Sequence, residues 1–352
     1  MPVRPVVVGL PLLHEAGREA LRAAHELREF DDAAQAAAAL GEADALYAYP
    51  PLRVTAAMIA RAPRLKLIAA AGSGVDHIDV DAAQAAGIVV THAVGAGARS
   101  VAEHAMGHML CLAKRLVELD RCVRDGGFER RHTLAFEELH GRTLAIVGFG
   151  AIGRELARMA AAGFGMVVIA VTRDGRPTGD PHVACTLPLA EALAAADIVS
   201  VHVPLSDTTR GLIGDAELRR LRPGAWLVDT SRGGVVDAAA LHRALAEGRL
   251  AGAALDVFDP EPPAPDAALL QLPNVVLSPH CAGITRAAYR RLALAAARDI
   301  ESTLRGERPA GLVGPPALWA ASRAAAASAA ELGAAPAPSH TAASAAHPGT
   351  PA

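Results

Sequence analysis

The sequence predicts an α/β protein of two doubly wound parallel-sheet domains, on three observations. Short apolar runs alternate with amphipathic stretches through the first hundred residues. A second series of the same kind starts near residue 143, and a glycine-rich turn sits directly after its first apolar run. Strand-helix alternation of this kind favours a parallel sheet with helices on both faces.

In the first series, 6–10, 45–49, 65–71 and 88–91 read as buried strands, with helical composition over 15–24 and 56–62. Ser100-Val101-Ala102-Glu103 has the capping-box pattern, so a single helix is expected from Ser100 to about Arg124. The second series predicts strands at 143–147, 166–171, 198–203, 225–229, 253–257 and 275–278. The helical stretch 286–305 follows that series and is expected to return to the first domain. One domain would then comprise 1–98 plus 286–313, with 99–285 inserted into it and a cleft between the two. The Ala/Pro-rich stretch 314–352 has too few large apolar groups to offset ordering entropy, and disorder is expected beyond about residue 320. A short alanine-driven helix around 316–332 is compatible with that composition.

Composition excludes several classes. The 352 residues are 52% hydrophobic but only 3% aromatic, and a net charge of -3 with mixed signs points to neither nucleic acid nor an anionic membrane. Four cysteines with no CxxC pair argue against a disulfide scaffold and for a reducing compartment. No run approaches the roughly 18 apolar residues of a membrane span, and the proline-interrupted N-terminus reads as a strand rather than a signal peptide. A cytoplasmic location is expected.

Gly148, Gly150 and Gly153 form a GxGxxG turn between a predicted strand and a predicted helix, which is the dinucleotide fingerprint in its structural context. Gly148 permits the tight turn, Gly150 lets backbone approach a pyrophosphate, and Gly153 lets helix pack on strand. An NAD-selective site usually carries Asp or Glu at the end of the next strand, where this chain has Thr172 followed by Arg173 and Asp174. Thr172 does not repel a 2′-phosphate and Arg173, helped by Arg176, would pair with one. NADP is therefore expected to be favoured over NAD, although Asp174 turned back would restore NAD binding.

Downstream, Arg232, Glu261 and His280 lie in the strings DTSRGGVVD, LDVFDPEP and LSPHCAG. Each alone is an ordinary charged residue at the end of an apolar run. Together they suggest a cation for a carboxylate, a carboxylate for a histidine, and a histidine to move a proton. That combination suits hydride chemistry at a carbon bearing oxygen beside a carboxylate. A metal site at His280 and Cys281 fails for want of further ligands nearby.

With Gly72-Ser73-Gly74-Val75-Asp76-His77-Ile78-Asp79, Ser100-Val101-Ala102-Glu103-His104, Val201-His202-Val203-Pro204-Leu205 and Thr208-Thr209-Arg210-Gly211, these strings make residues 5–312 resemble the D-isomer-specific 2-hydroxyacid dehydrogenase family. The resemblance implies a Rossmann dinucleotide-binding domain inserted into a flavodoxin-like substrate-binding domain, a homodimer, and reduction of a small 2-oxo acid by NAD(P)H. Glyoxylate, hydroxypyruvate and aryl-pyruvates are the substrates it suggests. It implies that Arg232 binds the substrate carboxylate, that His280 is the acid/base, and that Glu261 pairs with it. Ser73, Gly74 and Val75 would hold the carboxylate from the other side, with Tyr49 at the substrate's side chain. Ala151 and Ile152 would lie at the pyrophosphate, and Val203, Pro204 and Thr209 along the dinucleotide. Thr230, Ser231 and Gly283 belong to the same cofactor path, and Asp256 would accept from the nicotinamide carboxamide.

Some positions depart from the family's habits. His92-Ala93-Val94 stands where the family often has Asn-x-Pro. Tyr49-Pro50-Pro51 stands where 3-phosphoglycerate dehydrogenases tend to carry a basic residue, and no regulatory amino-acid-binding domain is expected. Glu261 stands where formate dehydrogenases typically have Gln. Phosphite oxidation and a dinucleotide-sensing corepressor-like regulator remain as alternatives on the same scaffold.

Overall fold

The computed structural model describes residues 4–10, 14–50 and 52–323. The disorder expected beyond about residue 320 lies, from 324 on, outside the described residues, and so does the end of the helix expected around 316–332. Its described part, 317–323, is helical.

The first sheet contains β1 (Val6–Gly9), β2 (Glu26–Glu29), β3 (Ala45–Ala48), β4 (Leu67–Ala70) and β5 (Val89–His92), all parallel, in the order β2-β1-β3-β4-β5. Helices α1 (Glu15–Ala24), α2 (Ala33–Ala38), α3 (Ala56–Ala60) and α4 (Val80–Ala85) connect the strands. Two helices then lead away, α5 (Ala98–Lys114) and α6 (Leu116–Arg124). The second sheet has seven parallel strands: β6 (Thr143–Val147), β7 (Val167–Val171), β8 (Cys185–Thr186), β9 (Ile198–Val201), β10 (Ala225–Asp229), β11 (Leu250–Leu255) and β12 (Val275–Leu277). Their order is β12-β11-β10-β9-β6-β7-β8, and α7 (Ala151–Arg158), α8 (Leu189–Ala195), α9 (Asp215–Arg220) and α10 (Ala238–Ala246) flank it. Helix α11 (Arg286–Leu304) follows the second sheet.

Burial explains why the inner strands read as unbroken apolar runs. In the first sheet Val6, Val8, Leu46, Ile68 and Val90 face α2, α3 and α4, while Val7, Tyr47, Leu67 and Val89 face α1 and α11. In the second, Ala145, Val147, Val199 and Leu227 pack on α8 and α10, and Leu144, Ile146, Ile198 and Val228 on α5 and α7. Alternate residues thus enter two cores, as parallel strands covered on both faces require. Alanine lets helices approach closely: a Cβ on Gly17 of α1 would stand 2.7 Å from Ala293 Cβ of α11. Helix α11 therefore packs against α1 and the first sheet.

The chain crosses between the sheets twice, near 93–97 and near 285. The two crossings touch. Ser100 Oγ lies 2.9 Å from Thr285 Oγ1, and Arg291 Nε donates to Ala96 O at 2.7 Å. Here the capping-box expectation is corrected. Helix α5 begins at Ala98 after Gly97, and Ser100 is inside it with its hydroxyl turned to Thr285. The single helix over 100–124 is also corrected, because Arg115 adopts a left-handed conformation (φ 49°) that ends α5 before α6 begins. Strand β2, Glu-Leu-Arg-Glu, was not expected; it is an edge strand in which one apolar residue, Leu27, packs on the core among charged neighbours.

Candidate active site

Strand β6 ends at Val147 and the glycine turn follows. Gly148 has φ +97°, and a Cβ there would stand 2.8 Å from the His202 carbonyl and from Val203 Cγ1. A Cβ on Gly153 would stand 2.7 Å from Gly148 O, so α7 rests directly on the turn. Gly150 differs: a Cβ there meets nothing within 4 Å. It opens onto free space at the first turn of α7, which has no side-chain cap. The amides of Ala151, Ile152 and Gly153 belong to that first turn, and uncapped N–H groups at the positive end of a helix dipole suit an anion. These residues fit the pyrophosphate of a dinucleotide.

The walls of this crevice come from the neighbouring strand ends. After β9, Thr209 Oγ1 donates to Pro204 O at 2.6 Å and accepts from Ser206 N at 2.8 Å, folding the 203–209 segment back on itself beside Val203. After β7, Thr172 Oγ1 donates to Arg176 O at 3.3 Å. Asp174 is engaged by Arg176, through Nε at 3.4 Å and the backbone amide at 3.3 Å. Arg173 is exposed and makes no ion pair among the described residues.

Arg232, Glu261 and His280 follow β10, β11 and β12, which are adjacent in the sheet. Sequence separations of tens of residues thus become one row at the carboxyl edge. Arg232 Nε donates to Asp76 Oδ2 at 3.0 Å and Nη1 to Ser231 O at 2.7 Å. Its Nη2 lies against Gly74, where any Cβ would collide with it. The 73–75 loop and Arg232 therefore meet from opposite sheets. Ser73 O accepts from His92 Nδ1 at 2.9 Å, which anchors that loop. Val75 is half-buried in the first domain's core, and Tyr49 stands at the end of β3 with its ring 6.3 Å from that of Tyr47.

His280 Nδ1 is 2.8 Å from Glu261 Oε2, and Glu261 Oε1 accepts from Phe258 N at 3.0 Å. Asp259-Pro260 and Glu261-Pro262 are cis. With Nδ1 committed to Glu261, Nε2 is the ring nitrogen left for a ligand. His280 also has φ +50°, one of two non-glycine residues with positive φ among those described.

Other expected residues turn inward. Ser231 donates through N and Oγ to Asp229 Oδ1, at 2.9 and 2.5 Å, and Thr230 Oγ1 is 3.3 Å from His202 Nδ1. Burial pushes the Asp229 carboxyl up to about 6, against the two Ser231 hydrogen bonds that lower it. Burial also pushes His202 down to about 4. Asp256 is fully buried, and its oxygens accept from Ser278 Oγ, Cys281 N and Ala282 N. Gly283 has room for a side chain, the nearest atom to an added Cβ being Val101 Cγ2 at 3.9 Å. Ligand atoms of His104, Asp256 and Cys281 lie within 4.8 Å of one another, but three protein donors already occupy the carboxylate, which makes the group a hydrogen-bonded cluster. Asp76, Ser278, His104 and His108 were given no role by sequence reasoning. Asp76 and His104 stood inside quoted strings, yet their partners lie more than 150 residues away.

Two doubly wound domains, an uncapped glycine turn and a row of Arg, Glu and His define a dinucleotide-dependent oxidoreductase. Comparison with known proteins narrows this. The family profile described as "D-isomer specific 2-hydroxyacid dehydrogenase, NAD binding domain" matches residues 106–282. A glyoxylate reductase of Aeropyrum pernix is 40% identical over 279 residues, covering 77% of this chain and 83% of that one. A D-3-phosphoglycerate dehydrogenase of Archaeoglobus fulgidus is 40% identical over 255 residues, 72% of this chain but 48% of its own length. Among solved structures, a Thermus thermophilus protein has a TM-score of 0.80 at 35% identity, covering 88% of this chain and all of that one. The chain belongs to the D-isomer-specific 2-hydroxyacid dehydrogenase family and is an oxidoreductase that binds a nicotinamide dinucleotide. Among the described residues no helix is long and apolar enough to cross a membrane.

Proposed function

We propose that this enzyme reduces a small 2-oxo acid of the glyoxylate or hydroxypyruvate type to the D-2-hydroxy acid, with aryl-pyruvates as a further class. The observation that carries the reading is the contact of Arg232 with the 73–75 loop, at a strand end neighbouring those that carry the His280–Glu261 pair. In this reading Arg232 offers Nη2 to the substrate carboxylate while Asp76 and the Ser231 carbonyl fix the other edge of its guanidinium. The 73–75 amides take the same carboxylate from the other domain. Glu261 holds His280 by Nδ1, and Nε2 gives a proton to the carbonyl oxygen, or takes one back in oxidation. The dinucleotide, when bound, supplies or accepts the hydride at the carbonyl carbon.

The reading extends to NADP over NAD, because Arg176 occupies Asp174 and leaves Arg173 for a 2′-phosphate. It divides the chain into 1–98 plus 286–313 and 99–285, takes a homodimer in the cytoplasm as the working form, and treats Tyr49 as a neighbour of the substrate's side chain. The similarity to glyoxylate reductases over most of both chains supports the substrate class.

The test is loss of dinucleotide absorbance with a panel of 2-oxo acids, using NADPH and NADH separately. Turnover of glyoxylate or hydroxypyruvate, faster with NADPH, is expected. Tight dinucleotide binding without turnover of any 2-oxo acid would favour a dinucleotide-sensing regulator. Oxidation of phosphite in its place would favour a phosphite dehydrogenase.

A further inference from the structure

We propose that His104 and Ser278, acting through the Asp256 carboxylate, are positioning residues that hold His280 in its proton-transfer pose. This rests on the acid/base reading of His280 given above.

Three observations carry it. His280 sits in the left-handed region, an uncommon place for a residue with a side chain, and such a backbone persists where its surroundings over-determine it. The surroundings here are Asp256. Its backbone carbonyl accepts from His280 N at 2.8 Å. Its Oδ1 accepts from Ser278 Oγ at 2.5 Å and Cys281 N at 2.9 Å, and its Oδ2 from Ala282 N at 2.9 Å. The loop carrying His280 is thus wrapped around one carboxylate that is 0% exposed.

The carboxylate is itself held from α5. Ser278 Oγ lies 2.9 Å from His104 Nε2 and 3.2 Å from His108 Nε2. A carboxylate only accepts, so the single serine proton goes to Asp256 and the hydroxyl oxygen must accept from both histidines. Both rings therefore carry a proton on Nε2. His108 Nδ1 is buried with no partner, which suits a bare lone pair better than an N–H, and burial keeps that ring neutral. His104 Nε2 also stands 3.7 Å from Asp256 Oδ1. One helix, through two donors converging on one hydroxyl, thereby sets the loop on which the proposed acid/base rides.

The test compares His104→Ala, His104→Gln, His104→Asn and Ser278→Ala in the full-length enzyme. Gln places an N–H near the reach of Nε2, whereas Asn mimics Nδ1. The expected result is a kcat about tenfold lower in His104→Ala, His104→Asn and Ser278→Ala, with a larger solvent deuterium isotope effect and unchanged NADPH affinity by fluorescence titration. His104→Gln should recover most of the loss. Nitrogen-15 imidazole spectra of the wild type should show both rings protonated at Nε2, a readout independent of turnover and of whether a variant folds. An Nδ1–H tautomer in either ring overturns the proposal. So does wild-type kcat in both His104→Ala and Ser278→Ala. NADPH affinity falling in step with kcat would overturn it too, by putting Asp256 on the cofactor. If His280→Ala keeps turnover, the acid/base reading fails instead, and the tautomer result stands apart from it.

Discussion

The two sheets are wound alike and furnished differently. Each begins with an interior apolar strand and has a glycine at its carboxyl end, Gly9 as the last residue of β1 and Gly148 just after β6. Gly9 sits within β1, where a Cβ would stand 3.1 Å from Tyr47 Cβ and O. Gly148 has φ +97° and its Cβ would meet the His202 backbone at 2.8 Å. The first is a packing glycine, the second a turn with backbone pressed on backbone. Beyond the strands, the second sheet adds an uncapped helix end and a row of Arg232, Glu261 and His280. The first contributes the loop 73–75 and Asp76. Winding a parallel sheet creates a crevice at the switch of strand order, but residues at the strand ends decide what that crevice can hold.

The sharpest way to break this contrast is at the second sheet's carboxyl edge. His280→Ala should lower turnover by about a thousandfold while leaving NADPH affinity nearly intact; steady-state rates beside fluorescence titration decide it, and comparable activity would remove the proton-transfer role. Arg232→Gln should lower kcat/KM by about a hundred- to thousandfold, mostly through KM, from the loss of charge-assisted hydrogen bonds worth roughly 1.5–3 kcal/mol each. A change confined to kcat would mean that Arg232 does not grip the ground-state carboxylate.

Stability sharpens the same contrast. Gly148→Ala should cost about 3 kcal/mol in urea unfolding and Gly9→Ala about 1, since the first forces a strained φ as well as a clash. Equal costs would erase the distinction. Acid should also act on the second sheet through His202, held near 4 by burial against 6.5 for the free side chain. The unfolded chain takes up this proton between pH 6.5 and 4 and the folded one does not, so His202 costs stability as pH falls through that window, by up to about 3 kcal/mol. Asp229, raised to about 6 by burial, has the opposite sign, its contribution falling as pH rises from 3.8 to 6. The His202 effect is therefore read as the difference between the wild type and His202→Gln, which should lose up to about 3 kcal/mol less stability than the wild type as pH falls from 6.5 to 4; parallel profiles would contradict it. The smallest kinetic effect expected is at Arg173. Arg173→Ala should raise KM for NADPH about tenfold, one charge-assisted pair, and leave NADH unchanged.

What could be seen in advance follows from where each constraint acts. Gly148 and Gly153 were legible because steric limits act on residue type and leave only glycine. The apolar strands were legible because both faces are buried. Strand β2 was not, since a single apolar residue, Leu27, among Glu and Arg makes no alternation to read. Nor was the break at Arg115, a non-glycine residue in a left-handed conformation. Ser100 misled because its hydroxyl found Thr285, 185 residues away. Asp76 and Ser278 show the same limit within the site, where composition supplied the groups and only tertiary proximity paired them.

The touching crossings near 93–97 and 285 have a mechanical consequence. Because Ser100 and Thr285 share a hydrogen bond and Arg291 is tied to Ala96 O, the two connecting threads cannot shear past each other without breaking those bonds. Asp76 reaches Arg232 from the other sheet, so where the guanidinium points depends on how the two sheets are held together at those crossings.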